Sequence, residues 1–444
     1  MTAGGPASSS AADAVARRNL HWLLGGQSAS LFGDYVALLA LPLFVVQLTG
    51  SALDLGLTTA LETLPTLLFG FAVGVLLDRA PLRRILIIAD LGRAAAFVAL
   101  ALAAAAGTTQ LWMVFATAFL VGSLTVTFDS GLQSWMPTLA TDRALVVMNS
   151  RLQFVRTLAW TLGPPLAGFL AATSGGFPVA FGLDAASFVV SALSLLVLAE
   201  IRPRPQPERA PWLASFRRGL ACLWRLPPLR AATLAGTLGN LAFVPMEALL
   251  VLFCRERLGI TDGALIGWFF GGHALLGAFG VIAAPTMARR LGLGRAFVCG
   301  LLAMGGGFLA LALAAPAFAA LPPVWSTVAA IFPAGMAVTG VSFVNVTFTT
   351  LRQQLPPPEL RGRVIAASRT LSWAGLPLGA ALGGAAAEAF GLGAVYLGSA
   401  AAIVAVALAL TTGSLWQIAG QAGDGDEGSS VEEAGSIGRE DDPV

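Results

Sequence analysis

One acidic residue, Asp34, lies in the middle of a long apolar stretch of this chain. Gln27 and Ser30 share its helical face at three- and four-residue spacing. A charged side chain at the centre of a membrane costs about 2.5–3.5 kcal/mol on insertion scales, so it normally faces a cavity or a partner. The spacing therefore predicts that this face binds a proton or a cation. The alternative interpretation is an acid that is hydrogen-bonded to another helix and inert.

Polar side chains recur at helical spacing in further apolar segments, and each such stripe faces either a cavity or another helix. Residues 231–254 and 324–350 each carry such a stripe, and His273 is a group that can titrate near neutral pH. His273 is either a proton relay or a histidine that bonds a neighbour. The candidate residues for the cavity or a proton path are Asp34, Gln27, Ser30, Glu62, Asn240, Glu247, His273, Asn345 and Thr349.

The composition excludes a soluble protein. Hydrophobic residues make up 56% of the 444 residues and charged residues 11%, against about 25% charged in an average soluble domain. A membrane-spanning helix needs about 20 mostly apolar residues, and the chain holds twelve such segments. They lie at residues 20–48, 52–77, 85–106, 110–132, 152–173, 177–199, 231–254, 264–287, 296–316, 324–350, 364–388 and 392–416. The sequence therefore predicts an all-α membrane protein with twelve transmembrane helices.

The basic residues are all arginines and are distributed unevenly among the loops. They cluster before the first segment and in every second loop after it, whereas the opposite loops contain only Arg255 and Arg257. Loops that face the cytoplasm carry an excess of positive charge. We therefore expect a multi-pass protein of a bacterial inner membrane with both termini in the cytoplasm.

An internal repeat relates the first six segments to the last six. The pentapeptide Arg156–Trp160 is echoed by Arg369–Trp373, and Pro164 is echoed by Pro377 at the same offset. Duplicated halves are typical of transport proteins, in which the substrate site lies between them. We therefore predict two pseudo-symmetric six-helix halves. The predicted divisions are a disordered cytoplasmic tail at 1–18, an N-terminal half at 19–199, a cytoplasmic linker at 200–230, a C-terminal half at 231–417 and an acidic disordered tail at 418–444.

The linker contains apolar residues at helical spacing, namely Trp212, Phe216, Leu220 and Leu223, with arginines elsewhere on the helix. This pattern predicts an amphipathic helix. Such a helix either lies on the inner leaflet of the membrane or packs on the helix bundle, and the pattern leaves both interpretations open.

Residues 74–84 read Gly-Val-Leu-Leu-Asp-Arg-Ala-Pro-Leu-Arg-Arg and resemble a loop signature of the major facilitator superfamily, from which Pro81 and Leu82 depart. The resemblance covers about residues 18–416. The chain looks most like the branch of the superfamily that contains the enterobactin exporter and macrolide efflux proteins. The resemblance implies that this loop latches a cytoplasmic gate, with Asp129 as the candidate partner acid. The gate residues implied by the resemblance and the repeat are Gly74, Asp78, Arg79, Arg83, Arg84, Asp129, Arg156, Arg361, Arg363 and Arg369.

The fifth segment carries a second part of the resemblance. Its run Gly163-Pro164-Pro165-Leu166-Ala167-Gly168 resembles a motif associated with exporters. Small residues allow helices to approach closely and proline loosens a helix. The resemblance implies a hinge at Gly163, Pro164 and Gly168.

Two further features complete the resemblance. Residues 358–379 resemble the inner loop and eleventh helix of that branch, and Asp90 and Arg93 fit as an i,i+3 ion pair. The fourth segment departs from the pattern, because it has no arginine where many drug/proton antiporters have one.

The resemblance implies a major facilitator fold and a secondary active transporter that exports a small amphipathic molecule by alternating access. A drug, a siderophore or a secondary metabolite would be the substrate, and H+ the coupling ion. No motif for nucleotides, metals or covalent catalysis is recognisable, so we expect no enzymatic activity, no cofactor and no metal. The expected partners are the substrate, the coupling ion and the lipid bilayer, without nucleic acid or an obligate protein partner.

Two alternatives to an exporter remain open. One is a solute importer or uniporter of the same fold, which would show uptake in whole cells. The other is a non-transporting membrane sensor or scaffold that docks a partner through the linker or the acidic tail.

Overall fold

The structure is a computed structural model that describes residues 6–69, 73, 77, 81–173, 175–201 and 212–418. Within these ranges it contains fourteen helices and no strand, which confirms the predicted all-α class. The helices are α1 Pro6–Leu48, α2 Ala52–Phe69, α3 Leu82–Ala105, α4 Leu111–Leu139, α5 Asp142–Ala171, α6 Gly176–Val197, α7 Trp212–Arg225, α8 Pro227–Ala248, α9 Leu250–Arg257, α10 Gly263–Leu291, α11 Leu293–Ala319, α12 Pro323–Gln354, α13 Arg361–Phe390 and α14 Leu392–Leu410.

The first helix begins earlier than the sequence pattern predicts. Helix α1 starts at Pro6, so it extends into residues 1–18, which we predicted to be a disordered tail. The alanine-rich composition of residues 7–16 explains the difference, because alanine has the highest helix propensity. Most of the predicted acidic tail, from residue 419 onward, lies outside the described residues.

Twelve stretches of helix account for the predicted membrane crossings. Eight described helices are long and apolar enough to cross a membrane by themselves, and α8 with α9 forms a ninth crossing that is bent by 52°. Pro245 lies one turn before this bend, and proline is a common cause of a kink. The remaining three crossings are α2, α5 and α13, which face the other half of the molecule and are less apolar.

The helices pack as two groups of six crossings. Helices α1 to α6 contact one another extensively, and so do α8 to α14, whereas two helix pairs form most of the contact between the groups. These pairs are α2 with α13 and α5 with α10. Each pair joins the second crossing of one group to the fifth crossing of the other. The contacts therefore follow the pseudo-twofold relation that the sequence repeat predicts.

Glycines bring the two groups into backbone contact at one end of the molecule. A Cβ atom on Gly168 of α5 would lie 2.9 Å from the Cα atom of Gly267 of α10. A Cβ atom on Gly56 of α2 would lie 2.8 Å from the Cα atom of Gly384 of α13. Both contacts lie away from the arginine-rich end, which we define as the end that carries Arg83, Arg84, Arg361 and Arg363. The halves are therefore closed at the opposite end.

A carboxylate reinforces this closed end. Glu388 of α13 accepts a hydrogen bond from Ser51 Oγ at 2.7 Å and another from the backbone N–H of Leu53 at 3.3 Å. Both donors lie at the N-terminus of α2, where helix N–H groups lack partners within the helix and favour a negative charge. Glu388 therefore links the two halves across their interface.

The linker helix α7 packs on the C-terminal half. A Cβ atom on Gly219 would collide with the backbone of Arg363 at the start of α13, and α7 also contacts α8. Arg217, Arg218 and Trp224 are exposed on α7. The packing agrees with the interpretation of a helix attached to the bundle, and contact with a lipid leaflet stays a prediction.

We predict that Glu388→Ala weakens the closed end of the molecule. Loss of a carboxylate at a helix N-terminus should shift the closed–open equilibrium by about two- to fivefold. Spin labels on the exposed residues Thr108 and Leu321, in a background without native cysteines, would report a larger population at long distance. Glu256→Ala is the matched control, because Glu256 is exposed on α9 and should leave the distances unchanged. Identical distance distributions in the two variants would contradict the prediction.

Candidate functional site

A cavity of about 930 Å³ lies between the two halves on the side of the arginine-rich end. We call it the central cavity. Helices α2, α4 and α5 contribute Glu62, Asp129 and Arg156 to its lining, and α13 contributes Arg369 and Trp373. The cavity forms where α2 and α13 diverge from their glycine contact. It is large enough for a drug-sized molecule.

The charges of the central cavity are distributed unequally between its walls. Glu62 and Asp129 lie on the N-terminal wall, and Arg156 is close enough to Asp129 for their charges to attract. On the opposite wall, the guanidinium of Arg369 lies 4.3 Å from the ring centre of Trp373. This wall therefore offers a cation and an aromatic surface, whereas the other wall offers carboxylates.

A second cavity of about 260 Å³ lies inside the N-terminal half. We call it the N-half cavity. Its lining includes Asp34 of α1, Arg93 of α3 and Asp184 of α6. The residues that line both cavities are Glu62, Val121, Thr125, Asp129 and Arg156. The two cavities therefore meet at a shared group of side chains, four of which are charged or polar.

Arg93 is the central cation of the N-half cavity. It forms an ion pair with Asp90, which confirms the predicted i,i+3 pair, and both side chains are almost completely buried. Its guanidinium lies 4.5 Å from the ring centre of Phe128 and 4.2 Å from that of Phe188. Two aromatic faces and one carboxylate thus hold the cation in place. A guanidinium therefore reaches the core from α3, although the fourth helix has no arginine.

The three residues predicted on the α1 face all line the N-half cavity. Gln27 donates a hydrogen bond to Ser191 Oγ of α6 at 2.9 Å, and Ser30 is buried. Asp34 lies deeper, beside Tyr35 and Arg93 in the same lining. The structure thus brings the predicted α1 face to a charged cavity.

The polar stripe of α8 lies against α13. Thr237 donates a hydrogen bond to the carbonyl oxygen of Leu371, and Asn240 donates one to that of Ser372 at 2.8 Å. Glu247 lies further along α8, and its Oε1 atom is buried without a partner among the described residues. Within the described chain, Asn240 and Glu247 line neither cavity. Polar periodicity predicted a cavity face here, but it equally fits a hydrogen-bonded helix contact.

Three other candidates also lie away from both cavities as the structure describes them. His273 is buried on α10, and one ring nitrogen lies 3.0 Å from the carbonyl oxygen of Phe269. Its ring packs against those of Phe269 and Phe270. Asn345 and Thr349 are exposed on α12. A role for any of the three in transport stays a prediction.

The predicted gate is described in part. Gly74, Asp78 and Arg79 lie outside the described residues, so their link to Asp129 stays a prediction. Arg84 is exposed and Arg83 is half-buried in the first turn of α3. Arg361 is exposed and Arg363 is half-buried at the start of α13. These four arginines surround the end at which the halves diverge.

The predicted hinge in α5 is a packing surface in this conformation. Helix α5 continues through Pro164 and Pro165. A Cβ atom on Gly163 would lie 2.6 Å from the Cβ atom of Tyr35, and Gly168 meets α10 at the interface between the halves. Small residues at these positions allow α5 to contact both α1 and α10. Bending at this point during transport stays a prediction.

Asp184 was not among the candidate residues predicted from the sequence. The structure places it in the lining of the N-half cavity. Helical spacing along α6 places Ser187, Ser191 and Ser194 near the same face. These serines, at helical spacing from Asp184, were the feature of the sequence that could have predicted a polar face on α6.

A family model described as "Major Facilitator Superfamily" matches residues 23–379. The chain belongs to the Major Facilitator Superfamily. It is a multi-pass membrane transporter and not an enzyme, as its motifs predicted. The match also confirms the predicted fold class, in which twelve helices form two related halves.

Curated relatives of this transporter include efflux proteins. It is 27% identical to the multidrug efflux pump Tap of Mycolicibacterium fortuitum, over 82% of this chain and 88% of that protein. It is 25% identical to macrolide efflux protein A of Streptococcus pyogenes, over 86% of this chain and 93% of that protein. These similarities confirm the predicted resemblance to the efflux branch of the superfamily.

Solved structures of other transporters share the fold. The nucleoside transporter NupG matches with a TM-score of 0.70 and 15% identity, over 90% of this chain and 99% of that chain. A bacterial homologue of the iron transporter ferroportin in an inward-facing state matches with a TM-score of 0.68 and 18% identity, over 89% of this chain and 99% of that chain. At such identities the likeness establishes the fold alone.

We predict that Arg93 and Asp90 depend on each other for stability. Arg93→Met should lower the thermal unfolding midpoint strongly, because removal of one partner from a buried ion pair costs about 3–5 kcal/mol. The double variant Asp90→Asn/Arg93→Met should recover much of this loss, because Asp90 is then no longer left as a buried charge without its partner. Scanning fluorimetry of the purified variants in detergent checks this. A double variant less stable than Arg93→Met would contradict the prediction.

Proposed function

We propose that this transporter exports amphipathic molecules that carry a basic amine, in exchange for protons, from the cytoplasm across a bacterial inner membrane. The observation that carries the proposal is the pair of carboxylates, Glu62 and Asp129, shared by the central and N-half cavities. A protonated amine and a proton would compete for these groups. Such competition is the simplest physical basis of antiport.

The shape of the molecule supports the direction of transport. The arginine bias favours an orientation with the arginine-rich end, and both termini, in the cytoplasm. In this orientation, the central cavity lies toward the cytoplasm while the glycine contacts close the outer end. This is the conformation in which an exporter loads its substrate. Rocking of the halves about the α2–α13 and α5–α10 contacts would then expose the cavity to the outside.

The lining supports the substrate class. The Trp373 ring offers a flat apolar surface, and the two carboxylates offer partners for an amine. The efflux proteins that this chain resembles include a multidrug pump and a macrolide efflux protein. Macrolides such as erythromycin are amphipathic and carry a basic amine. They fit both the lining and these relatives.

The test uses everted membrane vesicles that carry a preformed pH gradient. Erythromycin should collapse part of the gradient, whereas anionic amphipathic compounds of similar size should not. Glu62→Gln should reduce this effect by about tenfold or more, because it removes a charged partner of the amine from the cavity.

One control variant and two contradicting results limit this experiment. Glu256→Gln is the matched control, since Glu256 is exposed on α9 and should leave the effect unchanged. If the anionic compounds alone collapse the gradient, the proposed substrate class is wrong. If uptake into whole cells rises with expression of the protein, the proposed direction is wrong.

A further inference from the structure

Asp184 is a buried carboxylate with one unpartnered oxygen in a cavity lining. Its side chain has 0% exposure. Its Oδ1 atom accepts a hydrogen bond from Ser187 Oγ at 3.3 Å, whereas Oδ2 has no partner among the described residues. A buried ionised carboxylate without compensating bonds carries a high desolvation cost. The geometry therefore favours binding of a positive charge, or of a proton, at this oxygen.

The packing of α1 against α6 places Asp184 beside Asp34. A Cβ atom on Gly33 would collide with Oδ1 of Asp184 and Oγ of Ser187. Glycine at position 33 thus allows the carboxyl of Asp184 to approach the backbone of α1 one residue before Asp34. The two carboxyls line the same cavity and are close enough for their charges to repel.

The cations of the N-half cavity have other carboxylates as partners. Arg93 forms its ion pair with Asp90, and Arg156 is attracted to Asp129. With all groups ionised, the cavity would hold more negative than positive charge, which a low-dielectric interior does not tolerate. The ionisable groups that face this region from the surrounding helices are Asp34, Tyr35, Glu62, Asp90, Arg93, Asp129, Arg156 and Asp184.

We propose that Asp184 and Asp34 together form the proton-loading site of this transporter. The proposal rests on the proton antiport proposed above and adds Asp184 to it. A proton adds to a carboxylate oxygen of either acid and forms an O–H bond, which lowers the negative charge of the pair by one. No other bond changes.

The two connected cavities explain how this site would be coupled to the substrate. The proton pair lies in the N-half cavity, and the shared residues Glu62 and Asp129 separate it from the central cavity. Binding of a protonated amine at the shared carboxylates raises the positive charge near the pair, so the pair releases its proton. Loss of the amine on the outer side restores the negative charge and draws a proton back.

The experiment separates substrate movement from proton coupling in proteoliposomes. Radiolabelled erythromycin is followed first in equilibrium exchange without a pH gradient, and then in accumulation driven by a pH gradient. Asp184→Asn should retain exchange within about twofold and lose gradient-driven accumulation by about tenfold or more. Asp34→Asn should behave in the same way. Asp262→Asn is the matched control, because Asp262 is an exposed helix cap and asparagine caps equally well.

Each outcome decides one question. If Asp184→Asn accumulates erythromycin like the wild type, the assignment of Asp184 is wrong, even if Asp34→Asn has lost accumulation. If Asp184→Asn loses exchange as well, Asp184→Glu decides: restored accumulation supports a proton site, and failure of both variants establishes a structural role that overturns the proposal. If the wild type exchanges erythromycin but does not accumulate it along a pH gradient, proton coupling itself is wrong.

Discussion

The burial of charge in the N-terminal half is the constraint on which the rest of the structure depends. A guanidinium inside a membrane protein is stable where it is paired and surrounded, and Arg93 has a carboxylate on one side and two aromatic rings around it. With Arg93 fixed in this way, the carboxylates of the neighbouring helices surround a common cation. Helices α1, α4 and α6 therefore meet at one charged cavity, and the chemistry of the molecule is concentrated there.

The interface between the halves has the opposite character. It consists of close backbone contacts through Gly56, Gly168, Gly267 and Gly384, reinforced at the closed end by Glu388. These contacts do not involve Arg93 or Asp90, which are buried within the N-terminal half. In the proposed alternating access, the halves would therefore rock against each other while the ion pair of the N-terminal half stays intact.

The sequence predicted the fold well because membrane helices are long, apolar and bounded by charged loops. Helical spacing also predicted that Gln27, Ser30 and Asp34 share one face of α1, and all three line the N-half cavity, whereas binding of a proton or a cation at this face stays a prediction. The polar stripe on α8 did not distinguish a cavity lining from a helix contact. Polar residues that form hydrogen bonds to a neighbouring helix, as Asn240 does to α13, have the same spacing as residues that line a cavity. Asp184 was missed for a related reason. Its importance depends on which helix packs against α6 and on the absence of a side chain at Gly33, and neither is visible in a local pattern.

Accessibility of a single cysteine in the central cavity tests alternating access most directly. Thr66 lines this cavity from α2, and Thr66→Cys in a cysteine-free background gives a membrane-impermeant thiol reagent one target. The account predicts labelling in everted vesicles at rest, and labelling in right-side-out vesicles only when erythromycin and a pH gradient drive turnover. Labelling from the outer side at rest, or from one side alone under all conditions, would contradict it.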